Sequence, residues 1–416
     1  MPAFSADPLP CLSEACVPTA IIGMAALTTT AMQGADAAAL AAMIDRLDAD
    51  PVARLYDTSI AYQLGFRRAE GLGLQDEAIS ASPLFRIRRD GESRAGLRLL
   101  AIVAPGVLML NTPIDFITNH LDVRLDLLFV VPDTPLPATI PDHDVAFFAV
   151  GEADAAMVAR LHRLFMLWPR PALNDPGLLP VLARDRLSAL LAGVPGICSP
   201  PTVMVSRDQL ADLLRDGGDI GDLLPGCAYP VLIRPLGSHA GAGLKKIEGR
   251  AALDSYLLFS FATSYFVTEF VDYLSADGLY RKYRVAFIDR QPYLCHMASS
   301  QNWMVHYLNA GMTESADKRA DEAQAMAHFD ATFAARHRNA FAALHERVPF
   351  DYYSIDCSEL PDGRLLMFEA DSAAIIHLMD PEDMFPYKHA HMRTVFDAFG
   401  DMLRRRATAA EPAVPR

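Results

Sequence analysis

Residues 229–248 read YPVLIRPLGSHAGAGLKKIE. An apolar run enters, Gly237, Gly241 and Gly243 frame a seven-residue loop, and a second strand-like run leaves. The loop therefore joins two strands and does not open a helix. That excludes a P-loop and a dinucleotide fingerprint, both of which need a helix directly after the glycines. A glycine-rich β-loop with exposed backbone N–H groups, Ser238 and His239 among them, can still fold over phosphates. Glycine-rich hairpins are also ordinary turn chemistry, so the loop needs company to mean anything.

The company comes at residues 354–371, SIDCSELPDGRLLMFEAD. This pattern predicts a hairpin closed by a Pro-Asp-Gly turn, with Asp356 on one strand and Glu369 and Asp371 on the other. Residues two apart on a strand share a face, and Asp356 opposes them across the ladder. Three carboxylates on one sheet face repel each other unless a cation sits between them. Hard oxygen donors favour Mg²⁺, which bridges carboxylates and nucleotide phosphates. A solvated edge is the plainer alternative, and the apolar LLMF run beside the carboxylates argues against it.

Upstream, LRLLAIVAP, LDLLFVVPD and HDVAFFAVG read as strands, with the helix-period stretches NTPIDFITNHL and AAMVARLHRLFMLW among them. Alternating strands and helices predict a small parallel sheet covered on both faces, an α/β domain over 95–170. The Pro-rich PRPALNDPGLLP is a hinge, and the zone from 171 to 405 reads as α+β. It opens with a helix in ARDRLSALLAG stopped by Gly193 and Pro195, and it contains a long Ala-rich helical stretch over 316–347. The charged, Ala/Pro-rich 406–416 reads as a disordered tail. Residues 1–94 form a helical N-terminal zone. Within it, Ala61, Tyr62, Gly65, Ala69, Ala78 and Pro83 resemble one degenerate tetratricopeptide unit. A single unit cannot stack into a solenoid, which favours a cap or dimerisation element and predicts a homo-oligomer or a docked partner.

The chain has 416 residues, 51% hydrophobic and 21% charged, which is ample for about two to four globular domains. Lys+Arg 37 against Asp+Glu 51 leaves a net charge of −14, which excludes a diffuse positive field for nucleic acid or an anionic membrane. Six scattered cysteines form no CxxC pair, so neither a zinc site nor a redox disulfide is indicated. No Lys or Arg precedes Arg46, and the apolar stretch 21–32 is too short to span a bilayer. The expectation is a cytoplasmic protein.

The ordered set of a glycine-rich loop after Arg234-Pro235, VTEFVDY at 267–273, KYRV at 282–285 and the Asp356…FEAD pair resembles the ATP-grasp superfamily. It is most similar to the glutathione-synthetase-like and ribosomal-protein glutamate ligase branch. The resemblance covers residues 97–405, with the α/β domain standing as the preceding substrate domain; the helical zone lies outside it. It implies an ATP-grasp fold and an ATP- and Mg²⁺-dependent carboxylate–amine ligase acting through an acyl phosphate. The substrates would be a small-molecule or peptide carboxylate and an amine.

Carried over position by position, the two nucleotide-contacting cations of the family fall on Arg186 and Arg234. Both are Arg here, which keeps the charge but replaces a point cation by a planar fork. Glu269, with the backbone at Phe270 and Val271, matches the adenine hinge, and Asp272 or Asp277 would hold ribose hydroxyls. Arg284 would face the transferred phosphoryl group, and Asp356 and Glu369 would hold magnesium. Asp371 stands where the family usually has Asn and joins the metal set with an extra charge. His296, Trp303 and His306 lie where relatives bind the acceptor, and a packed aromatic cluster is the competing reading. A phosphotransferase on the same scaffold and a non-catalytic nucleotide-binding module are compatible with the same pattern.

Overall fold

The computed structural model describes residues 8–89, 96–238 and 241–409; His239, the expected boundary near residue 94 and residues 410–416 lie outside them. The first sheet has six strands in the order Thr19–Ile21, Leu84–Ile87, Val123–Phe129, Leu97–Val103, Val145–Phe148 and Ala172–Leu173. All its pairs are parallel except Leu84–Ile87 against Val123–Phe129. Along Leu97–Val103, Leu99, Ala101 and Val103 enter one hydrophobic core while Leu100 and Ile102 enter another. Burial on both faces is why this strand reads as an unbroken apolar run.

The helical zone is not a separate cap. Its strands Thr19–Ile21 and Leu84–Ile87 belong to the six-stranded sheet, and the helices between them cover one face of it. The antiparallel helices Pro51–Leu64 and Arg68–Ala81 bury Tyr56, Ile60 and Ile79 in the same core as Phe85 and Phe129. The apolar helix face that would have needed a partner copy is thus covered within the chain. The two flanking strands are three and four residues long, too short to stand out in the sequence.

A second sheet is wholly antiparallel, in the order Thr202–Ser206, Ser264–Glu269, Val231–Pro235 and Lys245–Ile247. With helices Arg207–Arg215 and Arg250–Phe259 it encloses its own core of Leu210, Leu253, Ile233 and Val267. The third sheet runs Gln291–Ser300, Tyr280–Ile288, Tyr352–Glu359, Leu365–Asp371 and Ile197–Cys198, antiparallel but for the last pair. Val285 and Phe287 of this sheet pack into one of the first sheet's cores, and Ala286 and Ile288 into the other. The first and third sheets are therefore one packed body, and the second stands beside them as a smaller lobe.

Strands Tyr280–Ile288 and Gln291–Ser300 are joined at Asp289 and Arg290, whose φ values of 48° and 71° are those of a tight hairpin turn usually marked by Asn-Gly. Two local readings change. The stretch 316–347 is three helices, Ala316–His328, Phe333–Arg336 and Arg338–Arg347. At the last break His337 bonds Glu359 at 2.9 Å, a partner on a distant strand that local sequence cannot show. Residues 406–408 are not tail: helix Pro386–Thr408 includes them, and Arg406 pairs with Asp351 at 2.5 Å. Among the described residues no helix is long and apolar enough to cross a membrane.

Candidate active site

A cavity of about 730 Å³ opens between the four-stranded and five-stranded sheets. Its first wall is the start of the small lobe, where Leu232, Thr268, Glu269, Phe270 and Val271 face Leu366 and Phe368. This wall is apolar with polar edges, and it carries the expected hinge. Phe270 meets the Trp303 ring edge-on at 5.7 Å between centroids, and Lys246 sits 4.0 Å over the Phe270 ring. Tyr273 donates to the Trp303 carbonyl, so the 301–309 segment is tied to the hinge.

The middle of the cavity is charged. Asp356 and Glu369 are register partners on adjacent strands, and Asp371 follows two residues on; all three line the cavity. The expected carboxylates share the cavity, but among the described residues they do not close into a three-ligand metal cluster, and protein cations meet two of them. Lys282 Nζ and Arg284 Nε donate to Asp356, each at 2.8 Å, and Arg184 pairs with Glu369. Lys282 and Arg284 lie two apart on one strand and so project to the same face. Burial opposes ionisation of Asp356, yet Arg284 and Lys282 hold its carboxyl well below the usual range. Arg284 likewise keeps its proton more firmly than usual, Asp356 outweighing the effect of burial. Burial and the neighbouring Glu369 push Asp371 up to about 6, so negative charge is crowded at this end of the hairpin.

Arg234 lies across from this cluster at the end of its strand. Burial, aided by the positive charge of Arg184, brings its pKa down to about 10. Two guanidinium groups thus line one partly dry cavity, an arrangement that a bound anion would stabilise. Arg234 also donates to the Ser238 carbonyl, and to its hydroxyl at 3.3 Å, fastening the glycine loop to its own strand. Gly241 and Gly243 have φ of 74° and 68°, and a Cβ at Gly241 would strike His306 Nε2. Only glycine allows the loop to touch the 301–309 segment there.

Several expected site residues sit elsewhere. Arg186 is exposed on helix Arg184–Leu191 and does not line the cavity; Arg184, two positions earlier, does. On a helix, two positions turn the side chain to the opposite face, so the sequence offered the right helix but not the right residue. Asp277 is exposed and paired with Arg281 at 2.6 Å, Asp272 is exposed and caps Leu274 N at 3.2 Å, and neither lines the cavity. Gly237, Ser238 and Gly243 shape the loop without lining the cavity, whereas Gly241 reaches it. His296, Trp303 and His306 all line it, with His296 against the Tyr307 ring at 4.9 Å.

Sequence reasoning missed Arg184, Lys282, Lys388 and Asp380. Lys282 was legible, since it shares a strand face with Arg284. Lys388 was not: it is 2% exposed, and its ammonium is set among Asp380 at 3.1 Å, Glu322 at 3.6 Å and the Tyr307 hydroxyl. These three partners come from three stretches that only folding brings together around Lys388.

Beside the cavity-lining Asp371 and Ala374, the segment after the third sheet's hairpin touches the α/β domain. Thr112 Oγ1 donates to the Ser372 carbonyl at 2.8 Å, and Gly151 lies so close to Ala373 that a side chain would not fit. Met32 of helix Met24–Met32 and Met109 reach the cavity from the N-terminal side.

No protein-family model matches the chain, and no curated protein matches it. Among solved structures it is similar to the VanG D-Ala:D-Ser ligase of Enterococcus faecalis, at 13% identity and a TM-score of 0.46, over 75% of this chain and 99% of that one. A D-alanine-D-alanine ligase of Coxiella burnetii gives 12% identity and a TM-score of 0.47, over 75% and 96%. A RimK domain ATP-grasp protein of Sphaerobacter thermophilus gives 16% and 0.38, over 74% and 99%. At such identities and scores the likeness says nothing of activity, and function is argued from the cavity's own residues.

Proposed function

We propose that the chain is an ATP-dependent carboxylate–amine ligase of the ATP-grasp type, with Mg²⁺ as its cation. The observation that carries the reading is the mixed lining of one cavity. It brings together an apolar hinge at Glu269–Val271, the guanidiniums of Arg184 and Arg234, and the Asp356, Glu369 and Asp371 carboxylates with Lys282 and Arg284. An adenine, a polyphosphate and a phosphoryl acceptor make those demands together.

Among the described residues no three His, Cys, Asp or Glu side chains converge closely enough to hold a metal by themselves. Magnesium ordinarily takes only one or two carboxylates and completes its shell with phosphate oxygens and water. Asp356 and Glu369, hard donors on adjacent strands with Asp371 nearby, fit that requirement. When bound there, the ion would neutralise phosphate charge and polarise the transferring group.

The protein's own residues divide the remaining work. Arg184 and Arg234 bind the phosphates, and the glycine loop closes over them. Arg284, oriented through Nε and Nη2 by Asp356 at 2.8 and 3.0 Å and reaching the Ile375 carbonyl through Nη1 at 3.4 Å, lines the cavity as the cation that would face the transferred phosphoryl group. An acid oxygen attacks the γ-phosphorus and ADP leaves; an amine nitrogen then attacks the acyl carbon and phosphate leaves, with the ammonium proton lost to solvent. Such chemistry needs positioning and charge stabilisation more than a covalent nucleophile. The test is calorimetric titration with Mg·ATP, followed by an ADP-release screen of carboxylates with and without amines. Amine-dependent release supports the ligase; a phosphorylated product formed without an amine identifies a phosphotransferase, and failure to bind Mg·ATP defeats both.

A further inference from the structure

Six of the chain's 17 methionines line this one cavity. Five of them, Met32, Met109, Met304, Met379 and Met392, come from five separate stretches of the chain. They are not all core. Met32, Met109 and Met304 are 63%, 37% and 39% exposed, while Met392 is buried at 2%. Large apolar side chains left accessible inside a cavity mark a surface made for an apolar ligand. Methionine suits a ligand whose shape is flexible, because its thioether chain is unbranched and adapts. Asp380 directly follows Met379 and Lys388 stands one helical turn before Met392; the two present opposite charges 3.1 Å apart, and both line the cavity.

We infer that the cavity receives, beside Lys388 and Asp380, an α-amino acid with a large apolar side chain, its ammonium toward Asp380, its carboxylate toward Lys388 and its side chain on the methionines. This rests on the ligase reading and names one of its two substrates. The N-terminal helix and the loop bearing Met109 then act in specificity, held in place by the Thr112–Ser372 hydrogen bond. Glycine and alanine leave the methionine wall uncovered, and glutamate buries a charge against it.

The experiment titrates the full chain calorimetrically with glycine, alanine, glutamate, leucine, methionine and phenylalanine, as both enantiomers where they exist. Each is run with and without Mg²⁺ and a non-hydrolysable ATP analogue. Leucine, methionine or phenylalanine should bind at least about tenfold more tightly than alanine, the scale on which apolar pockets discriminate. The double variant Met109→Gln, Met379→Gln should lose that preference while nucleotide affinity and melting temperature stay unchanged. Equal or tighter binding of glycine, alanine or glutamate, or no binding by any of the six while the nucleotide binds, overturns the inference and leaves the ligase reading standing. Absence of nucleotide binding defeats the ligase reading, and the titrations without nucleotide still decide whether the amino-acid site exists.

Discussion

Asp356 faces Glu369 across the antiparallel pair of strands Tyr352–Glu359 and Leu365–Asp371, and each is held by cations from a different element. Asp356 takes Lys282 and Arg284 from the next strand, and Glu369 takes Arg184 from a helix. The two carboxylates therefore differ in what their loss would cost.

Asp356 is 3% exposed, and its removal leaves two cations without their anion in a buried wall. Asp356→Asn should lower stability by about 3–5 kcal/mol, read as a fall in the urea midpoint with an unchanged slope. Glu369→Gln, whose partner Arg184 retains access to water, should cost about 1 kcal/mol and keep the fold. Its Mg²⁺-dependent ADP release should nevertheless fall by about 100-fold or more. A Glu369→Gln protein with full activity at sub-millimolar Mg²⁺ would remove this residue from the cation site.

Arg184 and Arg186 provide a sharp comparison. Truncating a desolvated cation that meets phosphate costs about 2–5 kcal/mol, so Arg184→Ala should raise the ATP Kd by about 30-fold or more. Arg234→Ala should do the same, with partial recovery in Arg234→Lys. Arg186→Ala, altering an exposed residue away from the cavity, should leave ATP affinity unchanged. Calorimetry with Mg·ATP on the four proteins reads all of this directly.

Acid should weaken the α/β body through His143. The imidazole is buried, with Nδ1 bonded to the Pro141 carbonyl at 3.0 Å and Nε2 receiving the Trp168 indole N–H at 3.0 Å. A proton on Nε2 would confront that indole donor, and burial holds the pKa below its ordinary 6.5. The unfolded chain then binds a proton that the folded chain refuses. Stability should fall as pH drops below about 6.5, by up to about 1.4 kcal/mol per pH unit, until the folded-state pKa is reached. His143→Gln should have a shallower acid slope in urea titrations followed by tryptophan fluorescence. Equal slopes would exclude His143 as a contributor.

Removal of residues 1–95 should not yield a folded, nucleotide-binding protein. The deletion strips two strands from the six-stranded sheet and exposes Phe85's partners, including Phe129 and Leu127. Aggregation on expression, or loss of cooperative unfolding, is the expected result; a soluble truncated protein that binds ATP would show the sheet to be dispensable.

The elements with strong local signals were legible from sequence. The central strands of the first sheet are unbroken apolar runs because both faces are buried, and the Asp356–Asp371 hairpin carries its own Pro-Asp-Gly turn. Same-face spacing correctly put Glu369 and Asp371 together. Lys282 obeyed that rule too, two places before Arg284. The short strands at Thr19–Ile21 and Leu84–Ile87 escaped notice because they are held by pairing with distant strands, and they carry little pattern of their own.

By itself, then, the sequence determined the alternation of strands and helices, the glycine loop between two strands and the carboxylate hairpin. Those depend on side-chain period and turn chemistry, which act over a few residues. Only the tertiary structure decided that Arg184 and not Arg186 reaches Glu369, that Lys282 and Arg284 neutralise Asp356, and that the N-terminal helices join the main body and bring Met32 to the cavity. The reason is physical: ion pairs and cavity walls are made between segments far apart in the chain, and a helix turns by 100° per residue, so which charge faces inward is settled by packing.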